Sequence, residues 1–545
     1  MLTPRRLFGL VLGTAVLEAT GADAKPLFAK GALGHHDKFW AKFEKLLLHE
    51  GDELYPMPTG SEVTHLLEVL GGVPGVALST YPETTVTEGQ GYAMLTAGMR
   101  KDVALLKKLT VAWQATGQGI ASSQTLRPCG GCGPSGGGWQ EPKDICSADQ
   151  NPCLCRTTAG AYMPGWLMPI RDMGSMGSAT DGDEDAITGI IYLAELLDSD
   201  EVREYAVRSI TAFVLEDLGH ARPDLNSRPV PAKGDIPEEL QTMYLWRGGT
   251  CWGGYDTSSR SRDRDLCIAP AYFSPGQWRL FRDYVLKHSR FVPSTQSAEE
   301  LARVLLSAIT WGYNTLSRIA CKNGLVSNWW SVPTDSWPWK GELKCTNSGT
   351  PAGAYGADAA RMPWRVVLDY LWYPEETQAT PMFNDVGKRI GAWGAKDYAN
   401  RWASAWQKAI IAQVDPRSHQ HPPKGSYPPR QDSVLVLRLD QVIQPLQGLQ
   451  GCDKVPAGFT ASAWNGWGGY PVVTAFQAPL DGVDSALMQE WLDFISDITV
   501  GGMPTEAYYD LGQEVIVSAL LGGKAWKPLN VARPPPNPGP PPLSS

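Results

Sequence analysis

Three short acidic segments have residue types and spacing suited to proton-transfer chemistry. In Thr85-Val-Thr-Glu88-Gly-Gln-Gly-Tyr92 a glutamate stands at an expected helix start, with glycines following at 89 and 91. In Gly177-Ser-Ala-Thr-Asp181-Gly-Asp-Glu-Asp-Ala186 four carboxylates fill five positions, more than capping a helix requires. In Asp358-Ala-Ala-Arg-Met-Pro-Trp-Arg365 an aspartate precedes a helix expected to begin near Pro363, because proline is tolerated in a first turn. Carboxyl groups whose surroundings drive their proton affinities apart can serve as general acid and general base in a hydrolysis. Taken singly, each has a plainer reading: Glu88 as partner of the helix dipole, Asp358 as a surface or capping residue paired with Arg361. Three acidic positions at three helix starts carry more weight together.

Thr87 and Gln90 have the spacing of a capping box, and Gly89 and Gly91 suggest that a ligand approaches the backbone there. A helix N-terminus lowers a carboxylate's proton affinity, so for Glu88 to act as an acid, burial or a neighbouring carboxylate must offset the dipole. Asp181, Asp183 and Asp185 imitate the opening of an EF-hand calcium loop, but Ala186 and Tyr192 occupy the places that need Gly and Glu. Calcium is therefore disfavoured, and no metal is expected. Cys129-Gly-Gly-Cys132 has the form of a redox or zinc motif, yet no His lies near it and no strand-to-helix pattern surrounds it.

The elements that must position these segments are mainly helical. Apolar residues recur at helical spacing over 36–50, 187–197, 202–215, 280–286, 301–309, 363–372, 488–498 and 513–521, whereas alternating stretches are scarce apart from 433–439. Long Gly-, Pro- and Ser-rich loops are expected at 117–178, 219–275, 322–362 and 415–432. Five cysteines crowd into the first, which reads as a disulfide-tied flap, and Cys251 and Cys267 bracket another excursion.

With 43% hydrophobic and 19% charged residues the 545-residue chain has material for a large core, and a net charge of −9 gives no footprint for nucleic acid. Most of the 21 Trp are expected in the core, with some free to stack on sugar rings. Arg5-Arg6, a short apolar run over 7–16 and Ala22-Asp-Ala24 read as a signal peptide (1–24) with a weak twin-arginine character, so export is expected. The run is too short to span a bilayer, and no other membrane candidate occurs. Residues 25–530 are expected to form one catalytic domain carrying the cysteine-rich insertion at about 117–178, and 531–545 a proline-rich disordered tail.

The three acidic segments resemble those of glycoside hydrolase family 8 and run in that family's order. Ala269-Pro-Ala-Tyr272-Phe-Ser-Pro275 is similar to a fourth, where Ile268-Ala269 departs from the usual Asn-Pro-Ser-Tyr-Phe pattern. The resemblance implies an all-α (α/α)6 barrel, with a cleft across the starts of the inner helices, and an inverting mechanism. It implies Glu88 as proton donor, Asp358 as the base that activates water and Asp181 as support for a distorted sugar ring. Tyr272 and Arg361 match positions that orient the water and the base, and Trp166 and Trp252 fall at sugar-stacking positions. The implied activity is hydrolysis of β-1,4 bonds in a glucan; xylan and chitosan are also substrates within the family. That chemistry needs no cofactor, and a secreted monomer is expected. Two rivals are a non-catalytic carbohydrate-binding wall protein on the same fold and a polysaccharide lyase. The first would be expected to lose one of the carboxylates, and the second lacks a basic cluster beside the acidic motifs.

Overall fold

The computed structural model describes residues 32–50, 74–76, 85–122, 162–164, 167–168, 178–218, 227–229, 234–249, 267–320, 324, 326–331, 358–401 and 508–530. Their helices are α1 (Ala32–Leu47), α2 (Thr87–Arg100), α3 (Val103–Ser122), α4 (Thr180–Leu197), α5 (Asp200–Glu216), α6 (Pro275–Lys287), α7 (Ala298–Ile319), α8 (Met362–Trp372), the short α9 (Pro374–Gln378) and α10 (Tyr508–Leu521). Inner and outer helices alternate along the chain. The inner set packs in sequence around a ring, α2 against α4, α4 against α6 and α6 against α8, while α10 touches both α8 and α2. Outside it, α1 covers α10, α3 covers α2 and α4, α5 covers α4 and α6, and α7 covers α6.

The inner helices are buried almost all round, as helices sandwiched between two layers must be. Every residue of α2 from Thr87 to Met99 is buried, as is every residue of α4 from Thr180 to Ala194. Two of the outer helices, α5 and α7, have serine caps. Ser199 accepts from the Val202 N–H at the start of α5, and Ser297 from that of Glu300 at the start of α7. Trp113, Trp246, Trp278, Trp311 and Trp364 are fully buried. Their N–H groups find acceptors there, as with Trp246 on the Ala269 carbonyl and Trp311 on that of Leu240.

Two sequence expectations are corrected. The capping box at Thr87 does not form: Val86 is the N-cap, no side chain caps the helix, and Gln90 instead donates to the Leu109 carbonyl of α3 at 2.9 Å. Gly91 serves helix packing and not a ligand. A Cβ there would stand 2.8 Å from the Gly182 carbonyl oxygen, and one on Gly182 would stand 2.7 Å from the Glu88 nitrogen. Gly91 of α2 and Gly182 and Gly189 of α4 form a seam that brings the two backbones together where Glu88 and Asp181 begin their helices. The outer helix α3 was not anticipated, and it continues to Ser122, into the expected loop.

Strands among the described residues are short antiparallel pairs: β1 (Leu48–Glu50) with β2 (Pro74–Val76), β3 (Thr85–Val86) with β4 (Leu167–Met168), β5 (Ser227–Pro229) with β6 (Thr242–Tyr244), β7 (Cys267–Ile268) with β8 (Trp330–Ser331), and β9 (Pro381–Phe383) with β10 (Arg389–Ala392). Two of them position the candidate site. The β3–β4 pair leads into α2, and β7–β8, with Ile268 opposite Trp330, ties the loop before α6 to the one before α8. No described helix is long and apolar enough to cross a membrane. The expected signal peptide, the five cysteines of the flap, Cys251, the strand at 433–439, the helix at 488–498 and the proline-rich tail lie outside the described residues, whereas the backbone of Cys267 is in β7.

Candidate active site

Five of the seven residues singled out in the sequence converge at the N-terminal ends of the inner helices. Glu88 lies in the first turn of α2 and Asp181 in that of α4. Asp358 precedes and Arg361 ends the 3-10 turn that leads into α8, and Tyr272 closes the turn before α6. Trp166 and Trp252 lie outside the described residues.

The Arg361 guanidinium is the hub. Its Nη1 donates to Glu88 Oε1 and to Asp181 Oδ2, and its Nη2 donates to Asp358 Oδ1 at 3.3 Å. Its Cζ lies 5.1 Å from the centre of the Tyr272 ring, and that ring meets Trp329 edge-on at 6.0 Å. Arg361 and Asp181 are each 1% exposed and Glu88 8%, whereas Asp358 is half-buried. One cation facing three carboxyls, two of them buried and the third half-buried, leaves an excess of negative charge that low-dielectric surroundings penalise heavily, so one carboxyl retains its proton.

That carboxyl is Glu88. Burial, reinforced by Asp181 and opposed by Arg361, pushes it up to about 8. Burial and a neighbouring carboxylate thus overcome the helix dipole, as an acid at this position requires. Asp358 is also raised, chiefly by burial, with Arg361 and the Trp329 N–H working the other way. Trp329 Nε1 donates to its Oδ2 at 3.1 Å, and Asn328 Oδ1 accepts from the Ala359 N–H at 3.0 Å, which fixes the turn.

Of the carboxylates in the Asp181 segment, only Asp181 joins this site. Successive helical residues point about 100° apart, so the group fans out in place of converging on a metal. Asp183 turns to Asp217, both buried; burial and Asp217 raise Asp183 well above the ordinary range, and burial pushes Asp217 up to about 7. Glu184 and Asp185 both face the buried Arg365, at 2.5 and 2.9 Å. Trp278 Nε1 donates to Glu184 and Gln277 Nε2 to Asp185, each at 2.9 Å. The acidic run is therefore one site residue set on a buried ionic scaffold that locks α4 to α6 and α8.

Trp329, Asn328 and Tyr92 touch the site without having been singled out. The only signal for the first two was Ser327-Asn-Trp-Trp330 inside a predicted loop. Tyr92 closes the Glu88 segment, but its hydroxyl contact depends on which way the helix faces.

No family model matches the chain. Among curated proteins it is 23% identical over 234 residues to Endoglucanase 2 of Ruminiclostridium josui, covering 42% of this chain and 38% of that protein. It is 24% identical over 230 residues to Endoglucanase A of Acetivibrio thermocellus, covering 41% and 37%. The match thus spans less than two fifths of these relatives' length. Among solved structures, the β-1,3-1,4-glucanase of Paenibacillus sp. X4 superposes with a TM-score of 0.51 at 13% identity, over 92% of this chain and 96% of that one. In sequence the chain is related to endoglucanases and in fold it is an (α/α)6 barrel, the combination that its resemblance to glycoside hydrolase family 8 implies.

Proposed function

We propose that the protein is an inverting glycoside hydrolase that cleaves β-1,4 bonds in a glucan such as cellulose or mixed-linkage β-glucan. The observation that carries this reading is the convergence of Glu88, Asp181 and Asp358 on the Arg361 guanidinium at one end of the inner ring. Glu88, protonated up to about pH 8, delivers its proton to the leaving glycosidic oxygen. Asp358, held by Arg361 and Trp329, takes a proton from the water that attacks the opposite face of the sugar. Inversion calls for a carboxyl separation of roughly 6.5–9.5 Å, room for that water. Glu88 and Asp358 meet different nitrogens of one guanidinium, so both carboxyls face the same site. Asp181, paired with Arg361, supports the oxocarbenium-like charge of the transition state.

The names of the related endoglucanases and of the superposed β-1,3-1,4-glucanase favour a glucan over xylan or chitosan. The amino-terminal pattern over 1–24 favours export. The reading is tested by parallel hydrolysis of carboxymethyl-cellulose, barley β-glucan, xylan and chitosan, with the anomer of the first product followed by NMR. Release of the α-anomer from a β-glucan is expected. Release of the β-anomer rules out the water-activating role of Asp358, and cleavage of xylan or chitosan alone reassigns the substrate.

A further inference from the structure

A chain of buried hydrogen bonds leads from Glu88 into the far side of the ring. The Tyr92 hydroxyl, one helical turn beyond Glu88 on α2, donates to Glu88 Oε1 at 3.3 Å. Gln513 Nε2 of α10 donates to the Tyr92 oxygen at 2.8 Å, and Trp364 Nε1 of α8 donates to Gln513 Oε1 at 2.7 Å. All three side chains are buried, and the Tyr92 ring lies directly over Gly512, where any side chain would collide with it.

The direction of each bond follows from one residue. An indole N–H only donates, so Gln513 must present its carbonyl oxygen to Trp364 and its amide to Tyr92. The amide then occupies the Tyr92 oxygen as a donor, and the phenolic proton is left to point at Glu88. A tyrosine placed beside a carboxyl without such a neighbour would be free to turn its proton elsewhere.

We propose that Tyr92, oriented by Gln513 and Trp364, is a positioning residue for the acid: by donating to Oε1 it holds the Glu88 carboxyl in one rotamer and leaves Oε2 to carry the proton given to the substrate. This rests on the reading of Glu88 as proton donor. Among the described residues, groups facing Glu88 include Asp181 from α4, Arg361 and Asp358 from the turn before α8, and Tyr272 from the turn before α6.

The test is kcat and KM on barley β-glucan as a function of pH for wild type, Tyr92→Phe, Gln513→Met and the double variant, with Glu88→Gln alongside and thermal melts of each. Tyr92→Phe removes a donor to the anion, so the alkaline limb of kcat/KM is expected to move up by about 0.5–1 pH unit. Its kcat is expected to fall roughly tenfold with KM nearly unchanged. Gln513→Met is expected to give a smaller effect in the same direction and to add nothing in the Tyr92→Phe background. A folded Tyr92→Phe whose alkaline limb stays in place overturns the proposal, as does full additivity of the two changes. Should Tyr92→Phe not fold, an unmoved limb in Gln513→Met overturns it equally. Turnover by Glu88→Gln overturns the acid assignment itself; an inactive Glu88→Gln with an unmoved Tyr92→Phe limb sinks only the positioning role.

Discussion

Replacing Glu88 by Gln gives a stability change whose pH dependence follows from the site. The folded-state carboxyl is raised from 4.5 to about 8, chiefly by burial, so ionising it in the folded protein costs at most about 5 kcal/mol more than in the unfolded chain. For a group raised in this sense, the stabilising contribution is fully present below about pH 4.5 and is lost as pH rises through about 8. Glutamine keeps the shape and stays neutral, so the variant escapes that loss. Wild type and Glu88→Gln should therefore have similar stability near pH 4.5, and the variant should gain on wild type steadily up to about pH 8 and level off above it. The assay is urea unfolding of both proteins from pH 4.5 to 9. Asp183 and Asp217 are also raised, but they pair with each other, titrate in both proteins and drop out of the difference. Parallel stability curves for the two proteins would refute the argument that the buried carboxyl cluster keeps a proton on Glu88.

Two further outcomes follow from the scaffold. Gly182→Ala places a methyl group 2.7 Å from the Glu88 nitrogen, a backbone atom that cannot turn aside. It should cost about 1–3 kcal/mol in urea unfolding and lower kcat by displacing the first turn of α2. Arg365→Met leaves Glu184 and Asp185 buried without their cation, and should destabilise by about 3–5 kcal/mol at neutral pH, with a smaller deficit at pH 4 where both carboxyls are protonated more easily. An equal deficit at both pH values would show that packing around Arg365, and not its charge, holds α8 to α4.

The chain by itself determined which acidic residues meet at the candidate site and most of the helices that hold them. Glu88, Asp181 and Asp358 were legible because carboxylates clustered before apolar helical repeats have a local signature, and the apolar spacing located inner helices such as α4 and α8. The first turns of those helices were less legible: Thr87 and Gln90 had the spacing of a capping box, yet Gln90 found a better acceptor on α3. Sequence spacing also left the four carboxylates of the Asp181 segment equivalent. Only the packed ring distinguished them, by setting Arg361 beside Asp181, Asp217 beside Asp183 and Arg365 beside Glu184 and Asp185. Gly91 could equally have admitted a ligand or a helix, and the partner that fills the space, Gly182, lies 91 positions away. The proton on Glu88 is likewise a tertiary property. Its local position at a helix N-terminus favours the anion, and only burial against an aspartate from another inner helix reverses that preference, because desolvation and charge repulsion depend on what the fold places within a few ångströms.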